Sequence, residues 1–472
     1  MLQWAAGFHD KSDRILHANQ RARRHFGSSL DGMKRLQPPP AVLQIATRLE
    51  EAGYETWCVG GAIRDALLGH QHLDWDFATA ATPAQVRDLF GASRTVPVGV
   101  EFGTVGVLDR DGRMHEVTTF RRDVRTDGRH AEVEFGASLD EDLARRDFTI
   151  NAIAFSPTRL ELRDPFGGRQ DLERGLVRAV GDADARMRED RLRALRAIRF
   201  AARFGFSIDP ATRQAINDSA PHLGRLSPER VKQELDKTME QVRHPSAALR
   251  LWRSTGAIAT LIPQLSQATD EALSVPDHLA MPGGARRPAR RSNRIAGLLV
   301  GLAPREATSV LTALRASRHE IQWVELLVGA WHAHGESIEA ALDGGRSPSD
   351  VEVRRWVAAI GRLNVAAFMR LASAIWWARR ATKGTGPNAR DVRLLYRRIM
   401  TSAFRDPIDL GALAVDGDDL RRAGIAPGPG LGNILQTLLA AVLEDPSRNR
   451  PDWLLQEALR LAGGRGEGRS TQ

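Results

Sequence analysis

One cysteine, Cys58, is the chain's whole supply in 472 residues. A single thiol excludes an intramolecular disulfide framework and a Cys-rich zinc site, and it suits a reducing compartment. No apolar run approaches the ~20 residues that a bilayer-spanning helix needs, so no membrane partner is expected. Internal repeats and low-complexity tracts are missing as well. The first residues, MLQWAAGFHDKSDRILHANQRARRHFG, are basic but hold acids and lack the apolar core of a signal peptide. They read as an extension outside the main fold.

What the chain does contain bounds it further. A hydrophobic fraction of 42% with mixed charge describes a globular protein, not a disordered one. The length exceeds one hydrophobic core and predicts two to four domains at about 150 residues each. A net charge of +9 favours a polyanionic partner, nucleic acid first. A generic Arg-rich surface from a GC-rich genome explains the same number, so charge alone leaves both readings open.

Two textures divide the sequence. Residues 38–53 (PPPAVLQIATRLEEAG) predict an amphipathic helix after a proline stop, closed by Gly53. ETWCVGG reads as a strand running into a double glycine, AIRDALLG as a short helix, and HLDWDFAT (72–79) as the next strand. TVGVL (104–108) and MHEVTTF (114–120) are β-rich runs about a turn at 109–112, and DFTINAIAF is another. From about Gly181 onward Ala/Leu/Arg segments of helical period dominate. GGARRPARRSNR (283–294) interrupts them and reads as a solvated loop. GIAPGPGLG (424–432) lies between two helices, either as a phosphate cradle or as a plain loop.

The chemistry concentrates in the first texture. In a strand, residues i and i+2 share a face, so Asp74 and Asp76 point one way and Leu73, Trp75 and Phe77 the other. Adjacent carboxylates repel, and a hard divalent cation removes that cost. Solvated edge-strand acids are the competing reading of one D-x-D. Gly60 and Gly61 stand at a strand-to-helix turn where bare backbone can approach a phosphate, with Arg64 one turn on. Glu116 joins the aspartates if its strand neighbours theirs; otherwise it is a surface strand glutamate. Asp190, Arg193, Arg196 and Arg199 recur every three residues and predict one ridge on a helix. On spacing alone that ridge is also an ordinary salt-bridged helix face.

These blocks together resemble the DNA polymerase β-like nucleotidyltransferases. More narrowly, they are similar to the bacterial (class II) CCA-adding tRNA nucleotidyltransferase and poly(A) polymerase family. VGGAIRDALLG (59–69), LDWDFAT (73–79), EVTTFRRD (116–123), DLARRDFTINAIAF (142–155), DPFGGRQDL (164–172) and REDRLRALRAIRFAARFGF (188–206) carry the resemblance. It is continuous from about residue 40 to 245, with a weaker echo over 410–443.

The resemblance implies an α+β nucleotidyltransferase head, a small mixed sheet with helices, followed by an elongated all-α neck, body and tail. The implied boundaries are an extension over 1–37, head 38–165, neck 166–245, body 246–345 and tail 346–472. By resemblance Gly60, Gly61 and Arg64 hold the triphosphate, and Asp74 and Asp76 bind Mg²⁺, with Glu116 as a third catalytic acid. Arg146 contacts the incoming nucleotide, and Asp147 with Asn151 braces the turn between head and neck. Asp190 and Arg193 pair with the base edge of CTP or ATP, and Arg196 and Arg199 face phosphates. FRRDVRTDGRHAEVEF (120–135) matches a loop that helps switch from C to A. Arg230 and Lys232 either touch the acceptor stem or lie on a plain surface helix. The implied partners are the acceptor end and elbow of tRNA with CTP and ATP, in the cytoplasm and without DNA. A phosphohydrolase activity carried by some members is not expected, for want of a suitable His-Asp pair. The alternatives are a poly(A) polymerase, an enzyme adding only CC or only A, or an inactive RNA-binding module.

Overall fold

A computed structural model describes residues 36–70, 74–126, 131–280, 288–343 and 347–463. The chain forms two compact units. One gathers the residues up to Thr238 with Ala247–Pro263; the other gathers Met239–Ser246 with those from Gln264 onward. The first carries all the strands found among the described residues, and the second is helical. The architecture is the α+β head and all-α remainder that the sequence implies. No single described helix is long and apolar enough to cross a membrane.

The sheet of the first unit has seven strands. They are β1 (Thr56–Val59), β2 (Asp76–Thr79), β3 (Thr95–Gly99), β4 (Thr104–Leu108), β5 (Met114–Thr119), β8 (Ala154–Ser156) and β9 (Glu161–Arg163). Arg121–Thr126 and Ala131–Phe135 form a separate hairpin, β6 and β7. The order is β3-β4-β5-β2-β1-β8-β9. Only β2 and β5 run parallel, with Phe77 opposite Val117. Every other neighbouring pair in this sheet is antiparallel. That one parallel pair sets Asp76 beside Glu116 at the start of two adjacent strands.

Burial explains why these segments are strands. β1 is buried on both faces, as is fitting for its apolar run TWCV. β5 alternates instead: His115, Val117 and Thr119 are buried while Met114 and Glu116 are exposed. Trp57, Val59, Ala78, Phe120, Leu139 and Leu143 pack into a core beneath the sheet. The expected strand over 72–79 is shorter. It begins at Asp76, with Asp74 exposed before it, Trp75 buried, and His72 and Leu73 outside the described residues.

The expectation of a solvated loop over 283–294 is overturned for its described part. Pro288–Leu299 is a helix, with proline at its first position. Residues 281–287 lie outside the described residues. Within the helix Arg294 is 1% exposed. Its guanidinium donates to the carbonyls of Met239 and Val242 at 2.8 Å each, of Leu279 at 3.1 Å and of Arg243 at 3.3 Å. The three carbonyls at 239–243 close the end of the helix Pro228–Gln241, whose last turn has none of its own donors left to offer. Burial pulls the guanidinium down to about 10, and Asp277 opposes it.

Arg294→Ala would strand those carbonyls. We expect a loss of roughly 3 kcal/mol or more, read as a lower midpoint in urea. Arg294→Lys should recover only part, because one ammonium cannot span a planar fork of acceptors.

Candidate active site

Asp76, Glu116 and Arg146 line one cavity of about 240 Å³, together with Val59, Phe77, Thr104, Thr118, Arg121 and Arg145. The alternation of β5 aims Glu116 and Thr118 into it, as period two requires. The β2–β5 pairing brings in Asp76. Arg146 arrives from the end of the helix Leu139–Ala144, which Ser138 and Glu141 cap reciprocally.

The electrostatics of Asp76 follow from this placement. Burial raises its carboxyl from 3.8 to about 6, and Glu116 and then Asp74 add to the rise. Arg146 and His115 act against it. The sequence expected such repulsion between Asp74 and Asp76, but the stronger partner is Glu116, across the sheet. Asp74 itself is exposed.

Gly60 sits at φ 78°, where a side chain would be strained. A β-carbon there would stand 3.2 Å from Arg146 Nη1, and one on Gly61 would stand 3.5 Å from Arg64 Nη2. The two missing β-carbons therefore leave bare backbone between two guanidinium groups. Arg146 holds Asp142 through Nη2 at 2.9 Å, while its Nε is buried with no protein partner. Asp142, fully buried, also accepts from Arg145. Burial would raise that carboxyl, yet Arg146 and Arg145 together hold it below the usual range.

Arg64 is more deeply placed than a surface phosphate ligand. It is 4% exposed, lies over the rings of Phe200 and Phe204 at 4.9 Å each, and donates to Asp65 and Asn151. Asn151 donates to Asp147 at 2.8 Å, and Asp147 accepts from Arg196 at 2.8 Å. Burial opposes the Asp147 charge, but Arg196 and Asn151 outweigh it and keep the carboxyl low. Asp147 and Asn151 thus tie the glycine turn to the helix Leu192–Phe204.

The expected ridge of one acid and three arginines is corrected. The helix breaks at Asp190, which ends Ala183–Glu189 in extended conformation before Leu192–Phe204 begins. The reason is capping chemistry: Asp190 Oδ1 accepts from Leu192 N at 3.0 Å, and its carbonyl accepts from Arg193 N. Its Oδ2 accepts from Arg230 at 2.7 Å. Arg193 reaches back to Glu189 at 2.7 Å and to the Arg145 carbonyl at 3.0 Å, beside the cavity. Arg199, expected to face a phosphate, lies in the interior. It is 3% exposed and donates to the buried Glu234 at 2.7 Å. Lys232 is buried against Asp236 at 2.6 Å.

Thr104, Arg121, Asp142 and Arg145 went unnoticed in the sequence. Asp142 was legible: it stands three and four residues before Arg145 and Arg146, the spacing of helical ion pairs. The Thr104–Thr118 hydroxyl pair, 3.0 Å apart across β4 and β5, needed the register. In the loop matched at 120–135, residues 127–130 lie outside the described residues; at its base Arg122 pairs with Glu134 at 2.8 Å.

Whether these residues fit a divalent cation can be asked of the donor set. Among the described residues no three of the His, Cys, Asp and Glu side chains converge as a ready ligand cluster. Two interacting carboxylates do meet, Asp76 and Glu116, with Asp74 near enough to perturb the first. That is what a hard cation takes from a protein when substrate phosphates supply the rest. The residues fit a metal held jointly with a triphosphate.

Two family models match the chain. One is described as the Poly A polymerase head domain, over residues 56–178; the other as a probable RNA and SrmB-binding site of polymerase A, over 205–269. The chain is 34% identical over 440 residues to the CCA-adding enzyme of Lactiplantibacillus plantarum, spanning 89% of this chain and 96% of that one. It is 33% identical over 429 residues to the CCA-adding enzyme of Limosilactobacillus reuteri, with the same two coverages. Among solved structures it resembles the Bacillus stearothermophilus CCA-adding enzyme in complex with CTP. That match has a TM-score of 0.71 and 30% identity over 92% of this chain and 100% of the other.

The raised Asp76 carboxyl makes a stability prediction. A native value above the unfolded one means the contribution is fully present below 3.8 and is lost as pH rises through about 6. Asp76→Asn removes the repelling charge. In chelator, at pH 8, it should raise stability by about 1–2 kcal/mol, and the gain should vanish below the ordinary carboxylate value. Thermal melts at several pH values check this.

Proposed function

The chain belongs to the family of CCA-adding enzymes, and from that premise we propose that it adds or repairs the 3′-terminal CCA of tRNA. CTP and ATP are its substrates, no nucleic-acid template is used, and pyrophosphate is released. The observation that carries this reading is the cavity in which Asp76, Glu116 and Arg146 meet beside the bare Gly60–Gly61 turn.

The tRNA 3′-hydroxyl attacks the α-phosphate of the bound nucleotide. We assign the cation that this metal-dependent chemistry requires as Mg²⁺, which when bound neutralises charge developing at the phosphates. Asp74, Asp76 and Glu116 are its carboxylates. The backbone of Gly60 and Gly61 admits the triphosphate, and Arg146, with its unsatisfied Nε, meets the anion. Arg64 acts from beneath, fixing the turn.

Asp190 and Arg193 are the groups we assign to the base edge. Each carboxylate oxygen of Asp190 has a second lone pair, so it can accept from an exocyclic amine while keeping Leu192 N and Arg230. Arg193 offers its donors once Glu189 yields. Arg196 and Arg199 position these groups by holding Asp147 and Glu234. The helical remainder takes the acceptor end and elbow of tRNA, chiefly through phosphates, so binding weakens with salt. We place this work in the cytoplasm.

A poly(A) polymerase of the same family is the second reading, and both family models carry that description. Relatives matched over 96% of their own length are CCA-adding enzymes, which favours the first. The test offers CTP and ATP with tRNA ending before CCA, after CC and after CCA, and with an unrelated RNA. Ordered addition of C, C and A that then stops is expected. Long A tails on any RNA would establish the polymerase, and addition of CC alone or A alone a partial enzyme. Asp76→Ala should abolish every addition.

A further inference from the structure

Outside the cavity, one buried pair of titratable side chains has no part in the scheme above. Asp109 and His115 are 8% and 9% exposed, and His115 Nε2 lies 3.2 Å from Asp109 Oδ2. The other ring nitrogen, Nδ1, lies 3.3 Å from the carbonyl oxygen of Trp75. That carbonyl belongs to the residue between Asp74 and Asp76. We propose that His115, held by Asp109, is a positioning residue for the nucleotidyl transfer: it fixes the backbone that carries the two aspartates. The inference rests on the reading of Asp74 and Asp76 as metal-holding carboxylates.

Geometry makes the case. Asp74 and Trp75 precede β2, so no ladder bond of that strand holds them. Trp75 is anchored by burial of its side chain, but its carbonyl still needs a donor. His115 sets a ring nitrogen within hydrogen-bond distance of it from β5, the strand that also carries Glu116. Asp109 is itself fixed: its Oδ1 accepts from Asp111 N and Arg113 N at 2.9 Å each, across the β4–β5 turn. The ring of His115 stands edge-on to Phe77, 6.3 Å between centroids, which sets its plane. A chain of contacts therefore runs from a tight turn through a carboxylate and an imidazole to the peptide between two proposed ligands. Outer partners of this kind orient ligands that they never touch at the metal. Because His115 faces the buried side of β5 and Glu116 the cavity side, one strand sets both carboxylate groups at once.

His115→Phe keeps a ring against Phe77 and removes both ring nitrogens; Asp109→Asn keeps the shape and removes the charge. The test uses the full-length protein with Mn²⁺ as the probe. Bound Mn²⁺ is read by electron paramagnetic resonance with CTP and no RNA, beside kcat, the KM for CTP and the Mg²⁺ concentration for half-maximal rate. We expect Mn²⁺ to bind about tenfold more weakly, the Mg²⁺ requirement to rise and kcat to fall at ordinary Mg²⁺. The KM for CTP should hold, and excess Mg²⁺ should restore most of the rate. His115→Gln, which keeps one donor, should lie between. Wild-type Mn²⁺ binding and kcat in folded His115→Phe would overturn the proposal, as would a loss of thermal stability without any change in metal response. If His115→Phe does not fold, Asp109→Asn and His115→Gln decide on the same readings. Asp76→Ala separates the two levels: if it retains addition, the reading of the site has failed, whatever His115 does.

Discussion

The buried carboxylate of Asp147 is the interaction on which the site depends. It accepts from Arg196 on one helix and from Asn151 on the turn after the helix Leu139–Ala144, and Asn151 accepts from Arg64 behind the glycine turn. Burying one charge is costly unless hydrogen bonds and an opposite charge meet it. Here the charge is met on every side, so removing any member leaves another uncompensated. That mutual need makes the network stiff, and the stiffness fixes where the Gly60–Gly61 turn stands relative to the helix that carries Arg193.

Asp76 is the opposite case. Burial raises it to about 6, and the carboxylates of Glu116 and Asp74 add to the rise against Arg146 and His115. The same fold thus holds one aspartate low and another high, because they stand in different company. Perturbed groups in a cleft mark sites where free energy is spent on chemistry. On the proposed reading the contrast matches two roles: Asp147 braces the turn, and Asp76 would hold the cation.

Much of this was legible in the sequence, and the failures have physical causes. Period-two alternation placed Glu116 correctly, because half-buried strands obey it closely. The double glycine, its strand and its helix were legible because glycine at positive φ has few substitutes. Asp190 was misread because spacing counts residues as if a helix continued. An aspartate that caps the next helix breaks the count, and only the backbone reveals it. The burial of Arg199 escaped the sequence for a related reason: a spacing of three shows which residues share a stripe, but not whether the stripe faces solvent or Glu234. The Asp109–His115 pair lay hidden because its meaning depends on a third residue, Trp75, forty positions away from the histidine.

The arginine content is open to a sharper reading than net charge allowed. Arg294 and Arg354, 1% and 9% exposed, donate to carbonyls at helix ends: Met239, Val242 and Arg243 for one, Leu443 and Glu444 for the other. A guanidinium suits that place, since the last turn of a helix presents unsatisfied acceptors and a negative dipole end. Its planar fork reaches several at once, where an ammonium reaches one. Arg64 and Arg199 are likewise buried against internal partners. Such cations are committed to partners inside the fold. A charge of +9 therefore argues for nucleic acid only through the arginines that remain outside, and the choice between a basic genome and a basic binding surface turns on burial, not on composition.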